Sequence, residues 1–360
     1  MSQRRQLFDT GFWLLRRSRL GHVLAPFTQG CGLIFTLHRV RPASQDPFQP
    51  NRHLEITPEF LAQVIERVRS RGYKFVSMEE AVDRLKLCFG QERYAVLSFD
   101  DGYRDNLTVA YPLLKQMGVP FTLFLTSGFL DRTSELWWIA LERMIAAQDV
   151  LHFAARGEAS LIPCATLEEK KACYAALVQL LTEDLEETGQ RAMVRELCAL
   201  NGFDLEALAD EEMLSWNEAR SLARDPLVSI GAHTHDHHAL ARLPEAGAEA
   251  DIRRGIERIE DELGRRPAFI AYPYGGAETA GLREAALAAG AGLRAGVTTV
   301  PGVLKSIHAR QAMLLPRVSL NGHFQGPEVI DEYLTGAPFA LYRAFRRVSR
   351  AFSRRAPSTR

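Results

Sequence analysis

Eight short apolar runs, separated by helix-patterned segments, constrain the fold of this chain more than any other feature. They are Leu33–Leu37, Lys74–Ser77, Ala95–Phe99, Pro120–Leu125, Leu227–Ile230, Ala268–Ala271, Gly296–Val300 and Leu315–Leu320. Most are apolar but for one or two hydroxyl residues, the pattern of strands covered on both faces. Between them Pro58–Arg71, Glu79–Leu87, Leu107–Met117, Ala248–Leu263 and Gly281–Ala289 carry helical periodicity. Thr57 before Pro58 is a helix start. Gly118 and Gly264 stand where left-handed helix ends are expected. Strand and helix in alternation predict an α/β fold with a parallel sheet, closed as a barrel.

The stretch 131–212 breaks the alternation. Its helical patterns (Trp137–Gln148, Leu167–Leu185, Gln190–Leu200) and a short strand pair (Val150–Phe153, Ala159–Ile162) read as an insertion. The division expected is a basic amphipathic N-terminal helix over 1–30, a barrel over 31–325 carrying the insertion, and a basic amphipathic tail over 326–360. In the tail Leu341, Phe345, Val348 and Phe352 fall at helical spacing among arginines, a pattern suited to an anionic membrane surface. The alternative is that both ends pack on the barrel and show water a basic face. Zero formal net charge gives no global field toward nucleic acid, so none is expected as a partner. The five scattered cysteines, with no CxxC, read as reduced thiols. No clean signal peptide or membrane span is recognisable. The expected location is cytoplasmic, at the inner face of the membrane.

Polar residues gather at the C-terminal ends of the runs, which form one rim in a parallel barrel, the place where active sites sit. His38, Asp100-Asp101, Thr126-Ser127, His233 and Tyr272–Gly275 each follow a run. Adjacent residues at a strand end point opposite ways, so one carboxylate can hold a cation while its neighbour handles a proton. Four of the ten histidines lie in His233–His238, beside Asp236, a composition suited to zinc or a similar ion.

These residues resemble the motifs of the polysaccharide deacetylases with a NodB-type domain (carbohydrate esterase family 4). Ser98-Phe-Asp-Asp-Gly102 is similar to their first motif, His233-Thr-His-Asp-His237 to their second, and Tyr272-Pro-Tyr-Gly275 to the core of their third. The resemblance covers about 32–320 without the insertion and implies a distorted (β/α) barrel of about seven strands. It implies that Asp101, His233 and His237 ligate a divalent metal, zinc by default, with cobalt, manganese and nickel as alternatives. Asp100 would be the general base, and the backbone N–H of Tyr274 would face the oxyanion. Tyr103, Tyr272, Pro273, Trp137 and Trp138 are the candidate substrate contacts; each tryptophan could equally be core. His235 and His238 are expected to face solvent or support the ligands. The substrate would be an N-acetylhexosamine in a glycan or lipid-linked precursor, as in exopolysaccharide or envelope biosynthesis.

The chain departs from the family in three places. The arginine that often precedes the third motif is replaced by Ala271; Arg317 could supply that cation or be an ordinary surface pair. The late histidine that serves as general acid is not recognisable, leaving His38, His308 and His323 as candidates, His38 first. The insertion is larger than a minimal deacetylase needs. Two rivals stand beside deacetylation: a silent glycan- or partner-binding module, and hydrolysis of another non-peptide C–N bond.

Overall fold

The computed structural model describes residues 20–87, 92–155 and 158–353, with the side chains of 87, 155, 158 and 346–353 left aside. Seven strands form a closed parallel ring: β1 (Gly32–Leu37), β2 (Tyr94–Phe99), β3 (Phe121–Leu125), β4 (Val228–Ala232), β5 (Phe269–Ala271), β6 (Ala295–Pro301) and β7 (Leu315–Ser319). They follow one another around the ring in chain order, and β7–β1 and β1–β2 pairing closes it. This is the predicted α/β barrel. The run at Lys74–Ser77 contributes only a two-residue strand, Lys74–Phe75, beside the start of β2.

Period-two geometry splits most of the ring strands between two cores. Leu33, Phe35, Leu37, Leu97 and Leu123 belong to the larger core, which includes the apolar faces of the helices. Ile34, Val96, Phe124, Ala271, Val297 and Leu315 belong to the second, smaller core. Both faces are therefore buried, which explains the largely apolar runs. The helix starts follow local chemistry: the Thr57 hydroxyl accepts from Phe60 N–H ahead of Pro58, and Gly264 ends helix Glu245–Leu263 at φ +66°.

The insertion holds helices Trp137–Ala147, Leu167–Gln179, Glu187–Leu200 and Leu205–Glu212, and the hairpin Val150–Ala155/Glu158–Pro163. The chain ends fold as helices too: Leu20–Thr28, Pro327–Thr335 and Ala337–Ser353. Residues 1–19 and 354–360 of the predicted basic ends lie outside the described residues. The cysteine reading needs correction. Cys31 is disulfide-bonded, whereas Cys164, Cys173 and Cys198 are buried free thiols. Sequence spacing without CxxC gave no sign of it.

Candidate active site

The ends of β1, β2, β4, β5 and β7 bring the site together. Asp100 and Asp101 leave β2 in opposite senses because Asp101 adopts φ +73° and Gly102 follows at +89°. Four of the five described non-glycine residues with positive φ are Asp101, Thr234, His237 and Tyr274. Such conformations cost about 1–3 kcal/mol each and persist where the surroundings over-determine them.

Asp101, His233 and His237 converge. Both imidazole Nε2 atoms lie 3.3 Å from Asp101 Oδ1, and that buried oxygen has no hydrogen-bond partner among the described residues. His233 Nδ1 is 2.7 Å from the Ala271 carbonyl, which fixes the tautomer leaving Nε2 unprotonated for a ligand. Burial pushes His237 down to about 4, so it is neutral at neutral pH; burial also disfavours charge on His233, but Asp101 and Asp100 outweigh it and push that imidazole up. Burial would raise Asp101, but the close approach of the His233 and His237 imidazoles outweighs it and holds the carboxyl well below the usual range. One carboxylate and two imidazoles around an orphaned oxygen are a fitting donor set for a divalent cation.

Asp100 answers to Arg317. The guanidinium from β7 grips both carboxylate oxygens, at 2.7 and 2.6 Å, and its other donors reach Ser98 Oγ and the Thr298 carbonyl. Both side chains are buried, at 0% and 2% exposure, so the surface-pair alternative for Arg317 does not hold. Burial pushes Asp100 up, but Arg317 and His233 outweigh it and the carboxyl sits below its ordinary value. A cation from β7 thus occupies the role that Ala271 cannot fill.

Aromatic rings surround the pair of histidines. Trp138, Phe129 and Tyr274 lie 5.1, 5.5 and 5.0 Å from the His237 ring. Trp137 donates to Tyr274 Oη and Trp138 to Tyr103 Oη. Trp137, Trp138, Tyr103 and Tyr272 are all buried; Tyr272 Oη donates to the Met313 carbonyl, away from Asp101. These four support the ligands and the rim and present no open stacking face. Pro273 and Tyr274 form the turn after β5, and Tyr274 N–H has no acceptor among the described residues.

Of the histidines proposed as acid, His38 follows β1 at the rim, half-buried, and its charge acts on both Asp100 and Asp101. Its neighbour Arg39 is fixed by Asp105 and Glu212 beneath it and lies over the Tyr103 ring. His308 is at the opposite end: its Nδ1 accepts from Lys305 N–H, close to the Leu304–Gly32 bridge where β1 begins. His323 is exposed, after β7. His53, which the sequence gave no reason to select, is close enough to His38 for their charges to interact.

Three further residues hold the His233–His238 loop and were not legible in sequence. Asp251 of helix Glu245–Leu263 accepts the N–H groups of His235 and Asp236 at 2.8 and 2.7 Å. Asp236, His238 and Asp251 could also group around an ion: both loop bonds end on Asp251 Oδ1, and its buried Oδ2, 3.4 Å from His238 Nδ1, has no hydrogen-bond partner among the described residues. Arg191, from the insertion, donates to the carbonyls of Glu135, Asp236 and His237 at 3.0, 2.9 and 3.1 Å. Gly255 lets the helix backbone approach: a Cβ there would lie 2.5 Å from the Thr234 carbonyl carbon. His235 and His238 are not solvent-facing; the His235 Nδ1 and Ser127 Oγ are 2.7 Å apart.

A parallel barrel with paired aspartates and two histidines on one rim defines a class of hydrolase site. The family model for polysaccharide deacetylase matches residues 90–157 and 180–293, and the chain belongs to that family. It is a hydrolase of carbon–nitrogen bonds other than peptide bonds. Among solved structures it is similar to the Streptococcus pyogenes deacetylase PplD in complex with acetate (17% identity, 84% of this chain and 97% of that one, TM-score 0.56). It is also similar to IcaB from Ammonifex degensii (19%, 85% and 97%, 0.53). A third is a de-N-acetylase from Aggregatibacter actinomycetemcomitans (16%, 84% and 99%, 0.53). At these identities the likeness is one of fold. A search of curated protein sequences found no match.

Proposed function

We propose that this protein is a divalent-metal-dependent N-deacetylase that removes acetate from an N-acetylhexosamine of a glycan, free or lipid-linked, during exopolysaccharide or envelope synthesis. The observation that carries the reading is the orphaned Asp101 Oδ1 facing two imidazole nitrogens, next to a carboxylate paired with a buried arginine. Asp101, His233 and His237 would hold the metal, with zinc the first choice for this donor set. When bound, it supplies Lewis acidity toward an amide oxygen and lowers the pKa of water.

Asp100 stays ionised at neutral pH because Arg317 outweighs its burial, so it can take the proton of the attacking water. The free N–H of Tyr274 is placed to hold charge building on the amide oxygen. His38 is the residue at the rim that can return a proton to the leaving amine. The buried Trp138 and Phe129, with the half-buried Tyr274, exclude water from the far side of His237. A pocket of about 190 Å³ lined by Arg41, Asp46, Phe48, Glu55 and Glu142 opens beside Arg39 and suits the hydroxyls of a neighbouring sugar.

The reading includes a place of work, the cytoplasmic face of a membrane with the basic ends against it. The arginine excess of those ends supports this, because that leaflet is anionic. The disulfide at Cys31 argues the other way, since disulfides persist in oxidising compartments. Thiol labelling in intact cells decides: Cys31 reactive before reduction supports the inner face, and Cys31 protected until reduction refutes it.

The enzymatic test is acetate release from N-acetylglucosamine oligomers after chelation and restoration of zinc or cobalt. Metal-dependent release that Asp100→Asn abolishes supports deacetylation. Tight glycan binding with no release by the wild type would instead establish the silent module.

A further inference from the structure

The ends of the chain carry a charge balance that the body does not share. Of 44 basic residues, twelve lie in 1–30 and 333–360, all arginine; of 44 acidic residues, only Asp9 does. The ends therefore carry a formal +11 and residues 31–332 carry −11. Zero net charge conceals a strongly segregated molecule.

The fold joins the described parts of the two ends. Helices Leu20–Thr28 and Ala337–Ser353 pack on each other, and Leu20–Thr28 also packs on Pro327–Thr335. Thr28 Oγ1 donates to the Thr335 carbonyl at 2.6 Å, and the left-handed Gly336 turns the chain against Thr28. Val23, Phe27, Leu341 and Phe345 are 69%, 82%, 46% and 63% exposed. Ten large hydrophobic side chains are exposed among the described residues, and half of them lie on these two helices. Leu341 and Phe345 stand one turn apart on Ala337–Ser353 with Arg343 between them, and the sequence continues with Arg346, Arg347 and Arg350 and no acidic residue. The carboxylate of Glu332, on the helix before, is buried against Gly21. Exposed apolar groups among arginines are complementary to an anionic bilayer surface, where alkyl and aromatic groups enter below the phosphates.

We infer that this pair of terminal helices is the seat for a membrane leaflet rich in anionic phospholipid. The seat adjoins the start of β1, since Leu20–Thr28 leads into it. The Asp101–His233–His237 rim is at the other end of the strands, about 20 Å away for a six-residue strand. The site is thus turned away from the lipid, toward sugars some distance out along a glycan rather than one joined directly to a lipid phosphate.

The test is co-sedimentation of the full chain with phosphatidylcholine vesicles and with vesicles that also contain phosphatidylglycerol. Binding is expected only with phosphatidylglycerol and weakens as salt is raised. Phe27→Ser with Phe345→Ser should weaken it about tenfold or more, with the melting temperature and acetate release in solution unchanged. Arg346→Gln with Arg347→Gln and Arg350→Gln should weaken it while leaving any binding to neutral vesicles as it was. Equal binding to both vesicle types, or undiminished binding by the phenylalanine variant, overturns the inference. So does a dimer in solution that the phenylalanine variant disperses, which would make a second copy the occupant. None of these readouts depends on the enzyme being a deacetylase.

Discussion

Replacing Arg317 by methionine tests the central electrostatic claim. Arg317 and Asp100 are a buried ion pair within the barrel, 0% and 2% exposed, joined through two hydrogen bonds. Removing one partner of such a pair typically costs about 3–5 kcal/mol, because the remaining charge is buried without compensation. Asp100 can escape most of that cost by binding a proton. A protonated Asp100 is no base. That cost corresponds to an upward move of the acid limb by about 2–4 pH units, so the rate falls about a hundredfold at a pH about two units below the new limb and much less above it. The sign is fixed by direction: Arg317 holds the Asp100 pKa below its ordinary value, so its loss moves the acid limb of activity to higher pH. Raising the pH should recover part of the rate. Arg317→Lys should fall between, since lysine keeps the charge and loses the two-pronged grip. The assay is kcat/KM for acetate release across pH, with melting curves as a control for folding. Arg317→Met with an unmoved acid limb and near-normal rate would refute both the pairing and the assignment of Asp100 as base.

His237→Ala should lose metal binding and turnover together, read by metal content after dialysis and by acetate release, whereas Asp100→Asn keeps the metal. Arg191→Met removes three hydrogen bonds to loop carbonyls and should weaken zinc affinity about tenfold in a chelator competition; partial recovery by Arg191→Lys would mark positioning by charge and donor. Gly255→Ala should destabilise the protein by about 1–3 kcal/mol and loosen metal binding, because the new methyl meets the Thr234 backbone. A melting temperature and zinc affinity equal to wild type would show that the loop can simply shift.

The barrel was legible because burial on both faces writes itself into a strand as a largely apolar run, and all seven ring strands carry one, interrupted at most by a few polar residues such as Thr36, Ser98 and Arg317. Lys74–Ser77 has the same composition, yet ring closure by β1–β2 pairing leaves only Lys74 and Phe75 as strand. Asp100, Asp101, His233 and His237 stood out because polar groups directly after apolar runs land on one rim. Arg317 was a candidate for the same reason, but its partner could be named only once β7 and β2 were seen to flank β1 in the closed ring. Arg191 and Asp251 lay on amphipathic helices full of charge, where nothing local separates an inward arginine from a solvated one. His308 follows β6 like a rim residue, but the chain turns back to the start of β1 before reaching it. The tryptophans could not be divided between core and sugar platform without seeing that their N–H groups end on Tyr103 and Tyr274.

Because Arg191 on helix Glu187–Leu200 braces the carbonyl of His237, and Glu187 on the same helix accepts from Ala239 N–H, the insertion is not a detachable module. Trimming residues 131–212 to reach a smaller catalyst would remove a wall of the ligand loop along with the excess length. Grafting the insertion onto another barrel of this family would in turn require a matching loop to receive it. Length variation at this position is therefore coupled to the second histidine motif, and the two segments should be exchanged together in any chimera.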